Sequence, residues 1–531
     1  MTSGSGNGGS HGAVRDAQTD RARLRAIHAA LSGGDVAAAA KMAEDALRDG
    51  IDHVMVLSLV AGRREEEGRL ADALALLRRA KAGAPDAAGI INQVGLCLLR
   101  MEQWEEAAAE FGEALARDPG FAPALANRAL ALTALARPEE ARRDFEAGAA
   151  LDPGNLIAAN GLAALALRRG DAEEARRLAG QVLAREPGFP GAVATLAGAA
   201  LADGRAAEAE AALRSLLGDG RIGPIDRAIA WGLLGDALDT QRRFGEAFAA
   251  WREANAAQAL HHKAEHGGRP GTLGLVRDLA AALAGKRIPA AFGHGGRSLA
   301  RRHVFLVGFP RSGADRVADV LGAHPGVALL AEKECLIDAA RDWMGDSGRF
   351  AAFLEADDDA LEEYRDSYWR RVAEEGADPA GRAFVDAHAY NSFKLPLIAR
   401  LFPDARVLFA RRDPRDNVLA CFRERFAMAG PAWEMLTLAG TADLFAATMA
   451  LVEASRAAFG LYLHEVSLEG LLAEPAGEAK ALCDFIGIEP NEAMSEAGGN
   501  VQGVGKWRDY EAEMASVLPA LAPWTERPDA R

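Results

Sequence analysis

Cysteine is scarce in this chain: Cys97, Cys335, Cys421 and Cys483 are the four among 531 residues. None is paired at the spacing of a metal knuckle or a redox motif, which removes a disulfide scaffold and a cysteine-based zinc site. Scattered single cysteines fit a reducing compartment, where they act as small buried hydrophobes. Long apolar runs are missing too, so no membrane span is expected. The N-terminus lacks the apolar core of a secretory signal. The expected address is the cytoplasm. Positive charge is in deficit, with 61 Lys and Arg against 76 Asp and Glu and a formal net charge of -15. A nucleic-acid binder would usually be basic, so bulk charge argues against that class and leaves open only a local basic pocket.

What the chain does have is ordinary globular composition, 50% hydrophobic and 26% charged, at a length too great for a single core. Residues 1 to 19 are rich in Gly and Ser and are expected to be disordered. A period then appears. Pro85, Pro119, Pro153 and Pro187 are 34 residues apart, and Ala39, Ala73, Ala107, Ala141, Ala175 and Ala209 keep the same step. Ala247 follows after an interval four residues longer. Small residues at fixed positions let two helices of a hairpin approach, and the proline ends the second helix. Each such hairpin has an apolar face that only its neighbour can cover. This period is that of tetratricopeptide repeats, and about six or seven units fit between residues 20 and 262. Residues 263 to 300 are glycine-rich breaks around one helical stretch, Leu273 to Leu283, and read as a linker.

From His303 the pattern changes. "HVFLVGF" has the continuous hydrophobicity of a buried strand. It leads into Pro310-Arg311-Ser312-Gly313 and then a helical stretch. A second buried strand, "ARVLFA", leads into Arg411-Arg412-Asp413-Pro414-Arg415-Asp416 and another helix. Asp413 suits its N-cap and Pro414 its first turn. Strands alternating with helices predict a parallel sheet over residues 301 to 531, with ligands beyond the carboxyl ends of its strands.

Both loops suit phosphate. A turn between strand and helix offers backbone N–H groups and the helix dipole to an anion. Gly308 to Gly313 spaces its glycines like a nucleotide-triphosphate loop. The next residues, Ala314-Asp315, lack the lysine and the magnesium-binding hydroxyl of such a loop, which disfavours an ATPase or kinase. Arg311 offers a charge from within the loop. Arg412, following a buried strand, suits a second phosphate by paired hydrogen bonds. The alternative for this cluster is an ion-pair network with Asp413 and Asp416.

Four ordered segments carry a resemblance: "FLVGFPRSGAD", His324-Pro325 followed by "AEKE", Arg412 to Asp416, and Gly505-Lys506-Trp507. Residues 301 to 510 resemble the sulfotransferases that use 3′-phosphoadenosine 5′-phosphosulfate, particularly bacterial members with tetratricopeptide repeats and the related tyrosylprotein sulfotransferases. The resemblance implies an all-α repeat solenoid followed by an α/β, P-loop-like domain with a parallel sheet. It also implies a nucleotide co-substrate, held through Pro310, Arg311, Ser312 and Gly313 on its 5′ side, Arg412 on its 3′-phosphate and Lys506 above it, with no metal. Glu332 stands where the family has its general base. The repeats would then hold a protein or peptide partner.

The chain departs from that pattern inside the site. Ala314 and Asp315 replace two threonines, Ala387 stands at a lysine position, and Ala420 replaces a serine. Asp315 suits a helix N-terminus but repels phosphate, by on the order of 3 kcal/mol at roughly 5 Å and an effective dielectric of about 20. Lys394, seven residues beyond Ala387, is the candidate to replace the missing lysine. His388 and Arg316 are further substitutes. Two readings follow: a sulfotransferase acting on a hydroxyl acceptor, or a catalytically impaired member serving as a repeat-based interaction module.

Overall fold

The computed structural model describes residues 17–268, 271–288, 300–428, 430–496 and 503–525. Most of the N-terminal stretch expected to be disordered, and about a third of the expected linker, lie outside those residues. No helix among the described residues is long and apolar enough to cross a membrane. The chain forms two compact units, one ending at Arg205 and the other beginning at Ala206. The division therefore does not follow the change of sequence pattern near residue 300, and the last helices of the repeat region belong to the second unit.

The first unit runs through helices from Ala17–Ser32 to Pro190–Ala202. The periodic prolines stand in turns between hairpins. The periodic alanines, from Ala39 to Ala175, are fully buried. Where one residue is smaller still, an aromatic ring fills the space. A Cβ placed on Gly95 would lie 2.6 Å from the Phe111 ring, and Phe111 is itself buried. A buried polar pair also links successive hairpins, one residue off that step: Asn127 Nδ2 donates to Asn92 Oδ1 at 3.0 Å.

The second unit begins with Ala206–Leu217 and the hairpin Pro224–Thr240 and Phe244–His266. Thr272–Leu283 covers the helix expected in the linker. Five strands follow: β1 (Arg302–Gly308), β2 (Val327–Ala331), β3 (Ala383–Ala387), β4 (Arg406–Arg411) and β5 (Leu463–Ser467). Their order is β2-β3-β1-β4-β5, and every pairing is parallel. β1 is central and buried along nearly its whole length, which explains its unbroken hydrophobicity. Chain order places β2 and β3 on one side of β1 and β4 and β5 on the other. The loops after β1 and β4 thus flank a switch point, where a parallel sheet opens a crevice for ligands.

One buried polar chain crosses the core beneath that edge. His303 Nε2 lies 2.9 Å from Tyr368 Oη, and the Tyr368 hydroxyl donates to Asp386 Oδ2 at 2.9 Å. Burial pushes the Asp386 carboxyl up to about 7, and pushes the His303 imidazole down to about 3.

Two outcomes are expected. Gly95→Ala should cost about 1–3 kcal/mol by overpacking against Phe111, read from urea midpoints, with Phe111→Leu restoring part of the loss. Asp386 keeps its proton in the native state over a range where the unfolded chain has lost it. Its contribution is therefore complete at low pH and disappears as pH rises through about 7. Relative to the wild type, Asp386→Asn should gain stability between about pH 4.5 and about pH 7.5; an unchanged difference between the two proteins would refute the assignment.

Candidate functional site

The loop after β1 is tied to the strand and helix beside it. A Cβ on Gly308 would sit 2.9 Å from the Ala410 carbonyl oxygen of β4, so only glycine lets the two strand ends come this close. Pro310 O accepts from Asn417 Nδ2 at 2.6 Å and from Cys421 Sγ at 3.0 Å, both on the helix Pro414–Arg423. Arg311 has φ +63° and Gly313 φ +92°. A left-handed arginine costs about 1–2 kcal/mol, and residues held this way cluster at ligand sites. Gly313 leads into the helix Ala314–Gly322, whose first N–H groups have no acceptor within the helix. Ser312 is buried, and its Oγ has no hydrogen-bond partner among the described residues.

Across the crevice, Arg412 follows β4 and is also buried. Its Nη2 donates to Gly503 O at 2.8 Å and its Nη1 to Arg311 O at 3.4 Å. Its Nε has no partner, and no ion pair is formed by Arg412 among the described residues. The neighbouring arginines differ: Arg411 pairs with Glu465 at 2.9 Å and Arg415 with Asp413 at 2.6 Å. Asp413 caps the helix by accepting from the Arg415 N–H, as its position predicts. Asp416 accepts from the backbone N–H groups of Gly505 and Trp507, and so fixes the C-terminal segment beside Arg412. Within that segment Lys506 Nζ lies 2.9 Å from Asp239 and 3.1 Å from Asp509. Arg311, Arg412 and Lys506 line one cavity of about 460 Å³, with Ala420 in its wall.

Glu332 lies at the end of β2, and Lys394 closes the 3-10 helix Ala389–Lys394 that follows β3. Glu332 follows β2 with φ +57°, its N–H donating to Ala387 O at 2.8 Å. Burial pushes its carboxyl above the usual carboxylate range, and the charges of Asp315 and Glu334 add to the shift. The Ala387 side chain is buried within β3. Lys394 is mostly buried and its ammonium is ion-paired with Glu334. The same carboxylate lies 3.4 Å from His388 Nε2, while His388 Nδ1 has no hydrogen-bond partner among the described residues. Arg316 pairs with Asp319 at 3.4 Å and not with Asp315. Glu334 is thus a central charge of this edge that the sequence reading did not single out. Asp236, Asp239, Arg423 and Arg425, which also line the cavity, were missed as well. The two aspartates carry no local signal, because they stand inside the repeat pattern.

Comparison with known proteins accords with this geometry. Residues 303–492 match a family model described as "Sulfotransferase family", and residues 166–221 match one for tetratricopeptide repeats. A protein of Aquifex aeolicus (strain VF5), described as uncharacterized, is 24% identical over 247 residues; the match covers 42% of this chain and 32% of that protein. Protein-tyrosine sulfotransferase 1 of Danio rerio is 24% identical over 263 residues, covering 41% of this chain and 70% of that protein. This chain therefore spans about a third of the first relative and over two thirds of the second. Among solved structures, a tetratricopeptide repeat protein from Parabacteroides merdae matches at 19% identity and a TM-score of 0.37, over 45% of this chain and 93% of that one. Residues 303–492, which carry the parallel sheet and its two arginine-bearing loops, thus match the model of the sulfotransferase family, and part of the helical region matches that of tetratricopeptide repeats.

Proposed function

We propose that this protein moves a sulfonate from 3′-phosphoadenosine 5′-phosphosulfate to a hydroxyl of an acceptor, and that the repeats hold a protein or peptide partner that presents it. The observation that carries the reading is the pair of unsatisfied buried groups on either side of the crevice. Among the described residues, Arg412 is a buried cation that hydrogen-bonds only to carbonyl oxygens, and Ser312 Oγ has no hydrogen-bond partner. A buried charge without a hydrogen-bonded counter-ion is costly; Asp416 acts on Arg412 only through space, and a phosphate would supply a directly bonded charge and acceptors at once. The residues present therefore fit the nucleotide.

The donor brings a sulfonate already attached to a phosphate, a good leaving group. Arg311, Ser312 and Gly313 would hold its 5′ side, Arg412 its 3′-phosphate and Lys506 its flank. Glu332 would take the proton of the acceptor hydroxyl as the oxygen attacks sulfur in line. The bond between sulfur and the bridging phosphate oxygen breaks, and the electron pair leaves on the nucleotide. Such transfers depend mainly on positioning and charge stabilisation. The name of the zebrafish relative makes a tyrosine hydroxyl the first acceptor to test.

A second reading, a nucleotide-binding interaction module with little or no transfer, is favoured by the chemistry of the opposite strand ends. The lysine position is the buried Ala387, the nearby Lys394 is already committed to Glu334, and Asp315 stands beside the base.

Calorimetric titration with adenosine 3′,5′-bisphosphate tests the shared premise. Arg412→Ala should weaken binding by about ten- to a hundredfold, the worth of a charge-assisted hydrogen bond; a wild type that does not bind refutes both readings. Sulfonate transfer to a tyrosine peptide separates them. If transfer occurs, its acid limb should lie above the ordinary glutamate range, because Glu332 must ionise to accept the proton. Asp315→Asn should move that limb to lower pH. Binding without transfer selects the second reading.

A further inference from the structure

Two carboxylates of the nucleotide cavity come from neither the sheet nor its loops. Asp236 and Asp239 stand on the helix Pro224–Thr240 of the last repeat hairpin. They are three residues apart and so share a face. Both line the cavity with Arg311 and Arg412. Asp239 Oδ1 accepts from the Tyr510 hydroxyl at 2.5 Å and lies 2.9 Å from Lys506 Nζ; its Oδ2 is 3.5 Å from Arg423 Nη1. Asp236 Oδ1 accepts from Trp251 Nε1 at 3.2 Å and from Arg423 Nη2 at 3.3 Å. Its other oxygen is 3.8 Å from Arg425 Nη1. Gly232, one turn earlier, admits that guanidinium: a Cβ there would sit 2.5 Å from Arg425 Nη1.

The hairpin is fixed in this place by contacts of other kinds. Asn255 Nδ2 donates to Phe422 O at 2.9 Å, Phe248 stacks on Phe422 at 4.9 Å, and the Arg423 guanidinium lies 4.5 Å from the centre of the Trp251 ring. The aspartates therefore meet the cavity's cations as a built arrangement of buried aromatic and polar contacts.

The charges can be counted. The cavity wall holds five cations, Arg311, Arg412, Arg423, Arg425 and Lys506, and four carboxylates, Asp236, Asp239, Asp416 and Glu424, a net of one positive charge. Three of the five cations are ion-paired with the hairpin's two aspartates. Arg311 has Glu424 at a loose 3.6 Å, and Arg412 forms no ion pair among the described residues. Without the two aspartates the wall would carry five cations against two carboxylates, a net of three.

We propose that Asp236 and Asp239 determine the cavity's specificity by setting how much anionic charge it accepts. By holding Lys506, Arg423 and Arg425 in ion pairs, they leave Arg412 and Arg311 as the receptors for the nucleotide's phosphates, with the neutralised Lys506 at its flank, and select against ligands bearing denser phosphate charge. The inference rests on the nucleotide reading above. It adds the last repeat hairpin to the donor site.

The test compares wild type, Asp236→Asn and Asp236→Asn/Asp239→Asn, each titrated with adenosine 3′,5′-bisphosphate and with inorganic tripolyphosphate at low and high salt. Asparagine still accepts the bonds from Trp251 and Tyr510, so thermal melting should stay near the wild type. The single variant leaves the Tyr510 contact untouched should the double variant melt early. The double variant should bind tripolyphosphate about tenfold more tightly than wild type, with a smaller gain for the bisphosphate and a steeper salt dependence. Damage to structure would move affinity in the opposite direction. If wild type binds the bisphosphate and neither variant gains affinity for tripolyphosphate, this proposal falls while the nucleotide reading stands. If wild type ignores the bisphosphate but the variants gain tripolyphosphate binding, the nucleotide reading falls and the charge-setting role stands. If no protein binds either anion, both fall.

Discussion

A guanidinium buried at the end of a strand must be given acceptors, and in this protein the demand of Arg412 organises what surrounds it. Its Nη atoms draw in the carbonyl of Arg311 from the loop after β1 and the carbonyl of Gly503 from the C-terminal segment. Two carbonyl dipoles satisfy hydrogen bonds but do not neutralise a charge, and an uncompensated buried charge is expensive. Three parts of the chain, far apart in sequence, thus converge on one cation that forms no direct ion pair among the described residues. The neighbouring Arg411 and Arg415 have carboxylate partners of their own, so the reliance on carbonyl acceptors is specific to one residue of the run.

The framework around that cation is rigid for identifiable reasons. Asn417 and Cys421 on one face of the following helix hold Pro310 O, while Asp416 holds two N–H groups of the segment carrying Lys506. Helix, loop and segment are therefore cross-linked by side chain-to-backbone bonds, which fix backbone position more tightly than surface ion pairs do. The last repeat hairpin supplies two of the four carboxylates that balance the cavity's cations. This explains how a strongly acidic chain keeps a cavity with five cations nearly neutral.

The opposite strand ends show a different balance. Glu332 is held in a left-handed conformation with its carboxyl raised by burial and by two neighbouring carboxylates. Glu334 gathers Lys394 and His388 around itself. The crevice between the loops after β1 and β4 thus gathers five cations, whereas beside β2 and β3 the ammonium of Lys394 is taken up by Glu334. A single fold holds both conditions because each half hangs on different strands of the same sheet.

Much of this was legible in the sequence, where the physics is local or periodic. The 34-residue step of proline and alanine fixes helical hairpins because helix packing repeats with the chain. The buried strands before Pro310 and Arg411 announce a parallel sheet, and Asp413-Pro414 announces a helix start. Arg311, Arg412 and Lys506 could be named from ordered motifs, and the structure brings them to one cavity. What the sequence could not contain was pairing across long separations. Lys506 sits on Asp239, 267 residues away, Lys394 is captured by Glu334, and Asp236 and Asp239 read as one more polar face of a repeat helix. Local pattern dictates which elements form, since hydrogen bonding and burial act over a few residues. Which charge meets which is decided only when the elements pack, because ion pairing depends on distance in space.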